Sequence, residues 1–215
     1  MCGINSRNLP HTTIKEREMK TLPEKVRAVK NVYAKLDKEI AALQATSGLH
    51  CLSGCGECCK KPDIEATPLE FLPLALQLFD EGKAERALED LQNKTESICY
   101  VFRPHVTNFG GLCSEYPHRG LICRLFGFTA RRNKEGNSEL VTCKLIKKDQ
   151  SAEFDQLVKE MKHGKKIPVM SDYYSRIAGI DHNMVTFYPI NEAMKQAIET
   201  VLHYYAYRKR RIPKN

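Results

Sequence analysis

The sequence lacks any hydrophobic run long enough to cross a membrane. Its most apolar stretch, residues 71–79, is far shorter than the roughly 20 residues that a spanning helix needs. The first residues also lack the basic region, apolar stretch and small-residue cleavage site of a secretory signal. We therefore expect a cytoplasmic protein without a membrane span, in a compartment where thiols stay reduced.

The sequence also lacks the motifs of several common enzyme classes. No arrangement resembles a serine or cysteine hydrolase triad, a phosphate-binding glycine loop or a paired-carboxylate site. These absences argue against hydrolase and nucleotide-binding functions, but they leave other kinds of enzyme open.

The basic residues form no extended patch. The formal net charge is +8, which taken alone suggests an anionic partner such as nucleic acid. The lysines and arginines are scattered, apart from residues 208–211, where a basic end suits the negative end of a helix dipole. Cysteine thiolates would also offset part of this charge. We therefore expect no nucleic-acid partner, and other partners stay undefined.

Cysteine, in contrast, is abundant, with nine residues in a chain of 215. A chain of this length buries a hydrophobic core without disulfide staples, so metal binding is the leading explanation for so many reduced thiols. Gly54 and Gly56 lie within the first cluster, and glycines allow a chain to curl so that side chains converge. The cysteines of this cluster are Cys51, Cys55, Cys58 and Cys59.

Cys58 and Cys59 are adjacent, which limits how they can bind a metal. Neighbouring Cα atoms lie about 3.8 Å apart, and in extended geometry successive side chains point to opposite sides. Two such thiolates do not readily occupy two corners of one tetrahedron. We therefore expect them to serve different metals, or different irons of one cluster, or one of them to have another role.

Later cysteines supply enough thiols to complete the coordination. They are Cys99, Cys113, Cys123 and Cys143. We predict that these four and the first four are all metal ligands, in one site or two, and we assign no role to Cys2. Four thiolates suit either a closed zinc site or an iron–sulfur cluster such as [4Fe–4S], and we place iron–sulfur ahead of zinc.

The order of these residues resembles a known family. After the first cluster the sequence continues with Ile64, Thr67, Glu70, Cys99, Cys113, Tyr116, Arg119, Cys123, Arg124 and Phe126. Over about residues 51–143 this pattern is similar to the YkgJ-type cysteine-cluster family of proposed zinc- or iron-chelating CxxCxxCC proteins. The family usually has proline where this chain has Gly120 and Gly127. The resemblance implies metal chelation, and one branch, the flagellin lysine methylases, implies a cluster used in methyl transfer.

Arg119 and Arg124 lie among the later cysteines. Guanidinium groups beside thiolates donate hydrogen bonds and lower the thiol pKa. We therefore expect both arginines to support the metal site from beside its ligands. A surface salt bridge is the alternative for each.

Other polar residues near the cysteines have simpler interpretations. His50, His105 and His118 adjoin cysteine segments, and an imidazole can replace one thiolate in a zinc site. For each of them we favour packing or solvation. Glu70 follows Thr67 at the spacing of a capping box, so we expect it to close a helix N-terminus instead of binding metal.

Hydrophobic periodicity predicts a mainly helical chain. We expect helices over residues 23–46, 67–80, 84–96, 151–163, 172–178 and 192–210. Asn191 is expected to cap the last helix, in which Tyr204, Tyr205 and Tyr207 pack in the core. Residues 99–123 are expected to be irregular. A small hairpin is expected from residues 125–131 and 139–143.

The predicted fold class is mainly α with a small β-hairpin, in which helices flank an irregular cysteine-rich metal-binding core. We divide the chain into a flexible N-terminal extension at 1–18 and an amphipathic helix region at 19–50. The cysteine-cluster domain follows at 51–146. A C-terminal helical segment at 147–215 is expected to pack on the same domain.

Three functions are compatible with this pattern. The first, which we favour, is a metal-binding protein whose further role is undefined. The second is an iron–sulfur enzyme of redox or S-adenosylmethionine-dependent methyl-transfer type, because the Cys51–Cys58 spacing occurs in such enzymes. Those enzymes usually have an aromatic residue where this chain has Glu57, and they use a strand–helix barrel. The third is a thiol redox sensor, although a disulfide between adjacent residues is strained.

Overall fold

The computed structural model describes residues 20–105 and 110–208. The expected extension at 1–18, Cys2 and the basic residues 209–211 therefore lie outside the described residues. None of the helices that are described combines the length and the apolar character that crossing a bilayer requires. The predicted cytoplasmic location stays a prediction.

The mainly helical fold class is confirmed. The described residues form eight α-helices: α1 Leu22–Ser47, α2 Pro68–Asp80, α3 Ala84–Asn93, α4 Leu121–Leu125, α5 Lys144–Asp149, α6 Ser151–Lys162, α7 Met170–Ala178 and α8 Ile190–Ala206. They also form six short strands: β1 Glu65–Ala66, β2 Phe102–Pro104, β3 Gly111–Cys113, β4 Thr129–Arg132, β5 Ser138–Val141 and β6 Tyr188–Pro189. The short helices α4 and α5 were not predicted, because five or six residues are too few to establish a helical period.

The strands pair as three separate antiparallel sheets, β1–β6, β2–β3 and β4–β5. The predicted hairpin is β4–β5, in which Thr129 pairs with Val141. The prediction that residues 99–123 are irregular is wrong in part, because β2 and β3 pair there and place Cys113 opposite Phe102. These strands have three residues each, which is too short for an alternating pattern to be recognised.

The first helix is the amphipathic one that the periodicity predicts. Glu24 accepts a hydrogen bond from the Thr21 N–H at 2.8 Å and so closes its N-terminus. Gly48, at φ 75°, ends it in the left-handed conformation. Its buried residues recur every three or four positions: Leu22, Val26, Val29, Tyr33, Leu36, Ile40 and Leu43.

The second helix forms the centre of the core. It begins at the predicted capping box and is buried on nearly all sides from Pro68 to Leu78. A helix that is apolar all round must be covered by other elements, and α2 packs against α8, α1 and α3. The cysteine segments lie at the end of this core where α2 begins, because the first cysteine loop leads through β1 directly into α2.

The predicted cap of the last helix is wrong. The residue before α8 is Pro189, and Asn191 lies inside the first turn. The Asn191 side chain accepts a hydrogen bond from the Tyr100 N–H at 2.8 Å and donates one to the Ile98 carbonyl oxygen at 2.9 Å. It therefore ties α8 to the segment around Cys99, a tertiary role that local sequence cannot indicate.

The tyrosines near the end of α8 have different environments. Tyr205 stacks on Phe79 with ring centroids 4.7 Å apart, and Tyr204 also packs against the core, as predicted. Tyr207 is 86% exposed, so its predicted core position is wrong. It follows the last residue of α8, where no other element covers that face in the described part of the chain.

Candidate metal centre

Two glycines shape the first cysteine loop, residues 51–63. Gly54 and Gly56 have φ values of 68° and 62°, which side chains disfavour. Gly56 starts a 3₁₀ turn, Glu57–Lys60, and accepts a hydrogen bond from the Cys59 N–H at 2.9 Å. The turn carries Cys58 and Cys59, so the predicted curling of this loop at its glycines is observed.

The loop is held against the β2–β3 sheet by backbone hydrogen bonds. The Gly111 N–H donates to the Gly54 carbonyl oxygen at 2.8 Å. The Cys99 N–H donates to the Cys59 carbonyl oxygen at 3.3 Å. Because Cys113 ends β3, these bonds bring cysteines of the first loop next to two of the later ones.

Thiols from separate parts of the chain converge around Cys58. Its thiol contributes to the raised pKa of five others, which are Cys51, Cys59, Cys99, Cys113 and Cys123. Desolvation is the largest cause for four of these, and the hydrogen bond with Cys58 is the largest for Cys59. Electrostatic influence falls with distance, so these thiols share one region.

The adjacent pair does not have the extended geometry that the sequence analysis assumed. Cys58 and Cys59 lie in a 3₁₀ turn, and their sulfurs are 4.0 Å apart. Ligands of a tetrahedral zinc ion at 2.3 Å are separated by about 3.8 Å, so the pair can share one ion. The hydrogen bond between them lowers the pKa of Cys58 and raises the pKa of Cys59.

The remaining two thiols, Cys55 and Cys143, both influence Cys51. Desolvation raises the pKa of Cys51, and Cys58, Cys55 and Cys143 raise it further. Cys143 precedes α5, and its sulfur accepts a hydrogen bond from the Ile146 N–H at 3.3 Å. All eight cysteines from 51 to 143 are free thiols.

Arg119 influences three of the thiols, and its predicted support of a metal site stays a prediction. It lowers the pKa of Cys51, Cys58 and Cys113, although desolvation or the Cys59 hydrogen bond is the larger cause in each case. Its guanidinium carbon lies 4.2 Å from the centre of the Tyr116 ring. Arg119 therefore supplies positive charge where several thiolates would form.

Arg124 is buried, with only 6% of its surface exposed. Its guanidinium pairs with Asp37 and donates to the carbonyl oxygens of Pro117 and Arg119 at 2.6 and 3.1 Å. It also lies 4.5 Å from the centre of the Tyr33 ring. These contacts fasten the chain between Cys113 and Cys123 to α1. Sequence reasoning missed Asp37 and Tyr33, because helical spacing is the only local signal that they carry.

Glu70 connects the start of α2 to the start of α4. It is fully buried, and its carboxylate accepts hydrogen bonds from the Thr67 N–H at 2.7 Å and the Ile122 N–H at 2.8 Å. It thus caps α2, as predicted, and also the short helix α4 that carries Cys123. Burial raises its pKa from 4.5 to about 7, although the Thr67 and Ile122 hydrogen bonds oppose this shift.

The raised pKa of Glu70 makes stability depend on pH in the metal-free protein. The folded state binds the Glu70 proton more tightly than the unfolded state does. Protonation of Glu70 therefore stabilises the fold fully below about pH 4.5, and this stabilisation is lost as the pH rises through about 7. We expect the melting temperature of the wild type, relative to that of Glu70→Gln, to fall between pH 5 and pH 8. Parallel curves for the two proteins in thermal melts would contradict this linkage.

The histidines near the cysteines differ in their surroundings. His50 is exposed, and its ring Nδ1 lies 3.0 Å from the Gly48 carbonyl oxygen. His118 lies with its Nδ1 3.8 Å from the Glu115 carboxylate. The His105 imidazole lies directly against the backbone of the first cysteine loop at its first glycine.

Unpaired buried polar atoms are concentrated at this end of the molecule. Within the described residues, four buried side-chain polar atoms have no hydrogen-bond partner: His118 Nδ1, Arg119 Nε, Thr142 Oγ1 and Tyr174 Oη. Arg119 lowers the pKa of three candidate ligands, Thr142 directly precedes Cys143, and Cys123 raises the pKa of Tyr174. Nearly all buried polar groups in native proteins are paired, so this grouping fits a charged group bound among the thiols.

The thiols are not yet arranged as ligands. Within residues 20–105 and 110–208, no three His, Cys, Asp or Glu side chains form a group that could already hold a metal ion. The assignment of all eight cysteines as ligands stays a prediction.

The segment that carries these thiols agrees with a family model. Residues 50–144 match the CxxCxxCC family. Its description is "Putative zinc- or iron-chelating domain", which confirms the resemblance and the expectation of a metal-binding cysteine cluster. In this CxxCxxCC segment, three residues separate Cys51 from Cys55, one more than the family name implies. No curated protein and no solved structure matches the chain.

Proposed function

We propose that the CxxCxxCC segment binds an iron–sulfur cluster through thiols grouped around Cys58, and that the protein acts through this cluster. The supporting observation is the number of thiols in one electrostatic environment, namely Cys58 and the five whose pKa it raises. A structural zinc ion takes four ligands. Six thiols exceed that number and suit a polynuclear cluster with further thiols beside it.

Residues beside the thiols would complete the site. The eight cysteines from 51 to 143 supply the candidate ligands. Arg119 offsets the negative charge of several thiolates, and its buried Nε–H, which has no partner among the described residues, can donate to a sulfur. Once bound, an iron–sulfur cluster would supply one-electron transfer.

Zinc is the second candidate, and one observation favours it. The sulfurs of Cys58 and Cys59 are 4.0 Å apart, close to the spacing of two ligands on one tetrahedral zinc ion. Eight thiols would then suffice for two closed sites. Such sites would hold the loops together and contribute no redox chemistry.

The enzyme alternative has weaker support. Enzymes that cleave S-adenosylmethionine at a cluster use a barrel of alternating strands and helices, whereas the sheets in the described part of this chain are all two-stranded and antiparallel. A thiol sensor based on the adjacent pair would need no metal at all. Metal analysis separates the thiol sensor from the proposal, and binding of S-adenosylmethionine to the iron-loaded protein would distinguish the enzyme.

Anaerobic purification followed by iron, zinc and acid-labile sulfide analysis tests the proposal. We expect a brown protein that contains iron and sulfide in similar amounts. In Cys58→Ser the iron content is expected to fall by at least about tenfold, because the serine removes the thiol on which the group centres. Circular dichroism of each variant reports whether the helices persist.

Cys2→Ser is the matched control, because Cys2 lies outside the CxxCxxCC segment. It should retain wild-type iron and sulfide. Stoichiometric zinc without sulfide would contradict the cluster and support the second candidate. A protein without any metal would leave the thiol sensor as the better explanation.

A further inference from the structure

The side-chain amide of Gln150 forms two hydrogen bonds with the backbone just before the first cysteine. Its oxygen accepts from the His50 N–H and its nitrogen donates to the His50 carbonyl oxygen, both at 2.8 Å. Cys51 follows His50 directly. Gln150 is 100 positions away from His50 and lies outside the CxxCxxCC segment. Its amide therefore holds both backbone polar groups of His50 in place from a distant part of the chain.

The position of this amide is fixed by two helices. Gln150 is buried at the junction of α5 and α6. Its backbone N–H donates to the Ile146 carbonyl oxygen at 2.9 Å, and its carbonyl oxygen accepts from the Phe154 N–H at 3.0 Å. A side chain that is locked by packing and by hydrogen bonds can hold a neighbouring group precisely. Gln150 is therefore a rigid support for the start of the first cysteine loop.

The same short helix connects this amide to Cys143. The Ile146 N–H donates to the Cys143 sulfur at 3.3 Å, and the Ile146 carbonyl oxygen is the one that accepts from Gln150. Hydrogen bonds therefore lead from Cys143 through α5 and the amide to the residue before Cys51. Desolvation is the largest cause of the raised pKa of Cys51, and Cys143 contributes to it, which agrees with this arrangement.

We propose that Gln150 positions Cys51 as a metal ligand beside Cys143, by fixing the His50 backbone against α5. Gln150 is a positioning residue, because it acts through the backbone of its neighbour. The inference rests on the proposed function, since it requires a metal bound by Cys51. It holds for an iron–sulfur cluster and for zinc alike, because both take thiolate ligands.

Paired glutamine variants test this role. Gln150→Met removes the amide and keeps an unbranched side chain of similar length. Gln156→Met is the matched control, because Gln156 is exposed on α6 and its amide donates to the Glu160 carboxylate at 2.8 Å. Each full-length protein is purified anaerobically with the metal that it retains. Loss of iron or zinc to an excess of chelator is then timed, and the metal-free proteins are melted.

We expect the two variants to differ in metal release. Gln150→Met should lose metal about tenfold faster than the wild type, whereas Gln156→Met should lose it at the wild-type rate. The melting temperature of metal-free Gln150→Met should fall by no more than about 4 °C. His50 is exposed, so water can bond to its backbone groups once the amide is gone.

A double-mutant cycle with Cys51→Ser shows whether the amide acts through this cysteine. Cys51→Ser is expected to speed metal release by itself. Adding Gln150→Met to it should produce no further increase, because the ligand that the amide positions is already absent. A merely structural role of the amide would instead speed release by the same factor with and without Cys51.

Different results would overturn this inference and the proposed function. Three results would each refute the positioning role: wild-type release by Gln150→Met, wild-type release by Cys51→Ser, and independent effects in the double variant. Iron and sulfide in the wild type would leave the proposed function standing in all three cases. A wild type that retains no metal would refute the proposed function, and this inference with it.

Discussion

Replacing Glu70 with alanine is expected to lower the free energy of unfolding by about 3 kcal/mol. The carboxylate pairs with the N–H groups of Thr67 and Ile122 at 2.7 and 2.8 Å, in a fully buried position. Its removal leaves both N–H groups buried and unpaired and creates a cavity. Denaturant titration of the metal-free protein measures the loss. Metal content should fall as well, because α4 carries Cys123.

The chain contains a matched control for this substitution. Glu24 accepts a hydrogen bond from the Thr21 N–H at the start of α1, as Glu70 does from Thr67, but it is exposed and accepts from the Thr21 N–H and hydroxyl instead of from a second helix. Glu24→Ala should therefore cost much less stability and leave metal content unchanged. Equal losses in the two variants would mean that Glu70 acts only as a local cap.

Replacing Gly56 with alanine is expected to lower metal content by at least about tenfold while the helices persist. Gly56 has a φ of 62°, and an added Cβ would lie 2.6 Å from the Phe102 ring and 2.9 Å from the Gly111 carbonyl oxygen. Backbone strain of about 1–2 kcal/mol therefore adds to a clash with the β2–β3 sheet. The first cysteine loop would have to separate from the sheet, which moves Cys58 away from Cys113.

Gly82→Ala is the control for Gly56→Ala, because it introduces the same backbone strain without the steric clash. Gly82 has a nearly identical φ of 66°, but no described atom lies within 4 Å of its added Cβ. This variant should lose about 1 kcal/mol of stability and retain its metal. Metal analysis and circular dichroism of both variants give the comparison. Wild-type metal content in Gly56→Ala would show that close contact between loop and sheet is not needed.

The CxxCxxCC segment depends on elements on both sides of it. Asp37 on α1 holds Arg124, and Asn191 on α8 holds the backbone around Cys99. The central helix α2, which belongs to the segment, packs mainly against α8. Variants at these outer residues are therefore expected to affect metal retention, even though they contain no ligand atoms.

The departure from the family pattern at Gly120 illustrates what sequence comparison leaves out. Its φ of −64° is a value that proline also adopts, so the backbone agrees with the usual residue of the family. A Cβ at Gly120 would nevertheless lie 2.7 Å from the Phe71 ring. The bulky neighbour comes from another part of the chain, so the need for glycine is visible only in the folded protein.

Secondary structure was predicted well wherever both partners of an interaction are close in sequence. The capping box of Thr67 and Glu70 and the stop at Gly48 each involve residues within four positions of one another. The predicted cap at Asn191 failed because its side chain bonds to Tyr100, 91 positions away. Local sequence patterns predict hydrogen bonds between near neighbours, whereas the Asn191 side chain forms a hydrogen bond with a residue far away in the chain.

The sequence by itself determined the helical class, most helix limits and the identity of the eight candidate ligands, because periodicity, caps and thiol chemistry are properties of single residues and near neighbours. Tertiary structure alone decided that Cys58 influences thiols from separate parts of the chain, that Glu70 caps a second helix and that Arg124 pairs with Asp37. Those contacts join residues far apart in the chain. They are set by how α2 packs against α1 and α8, which no short stretch of sequence specifies.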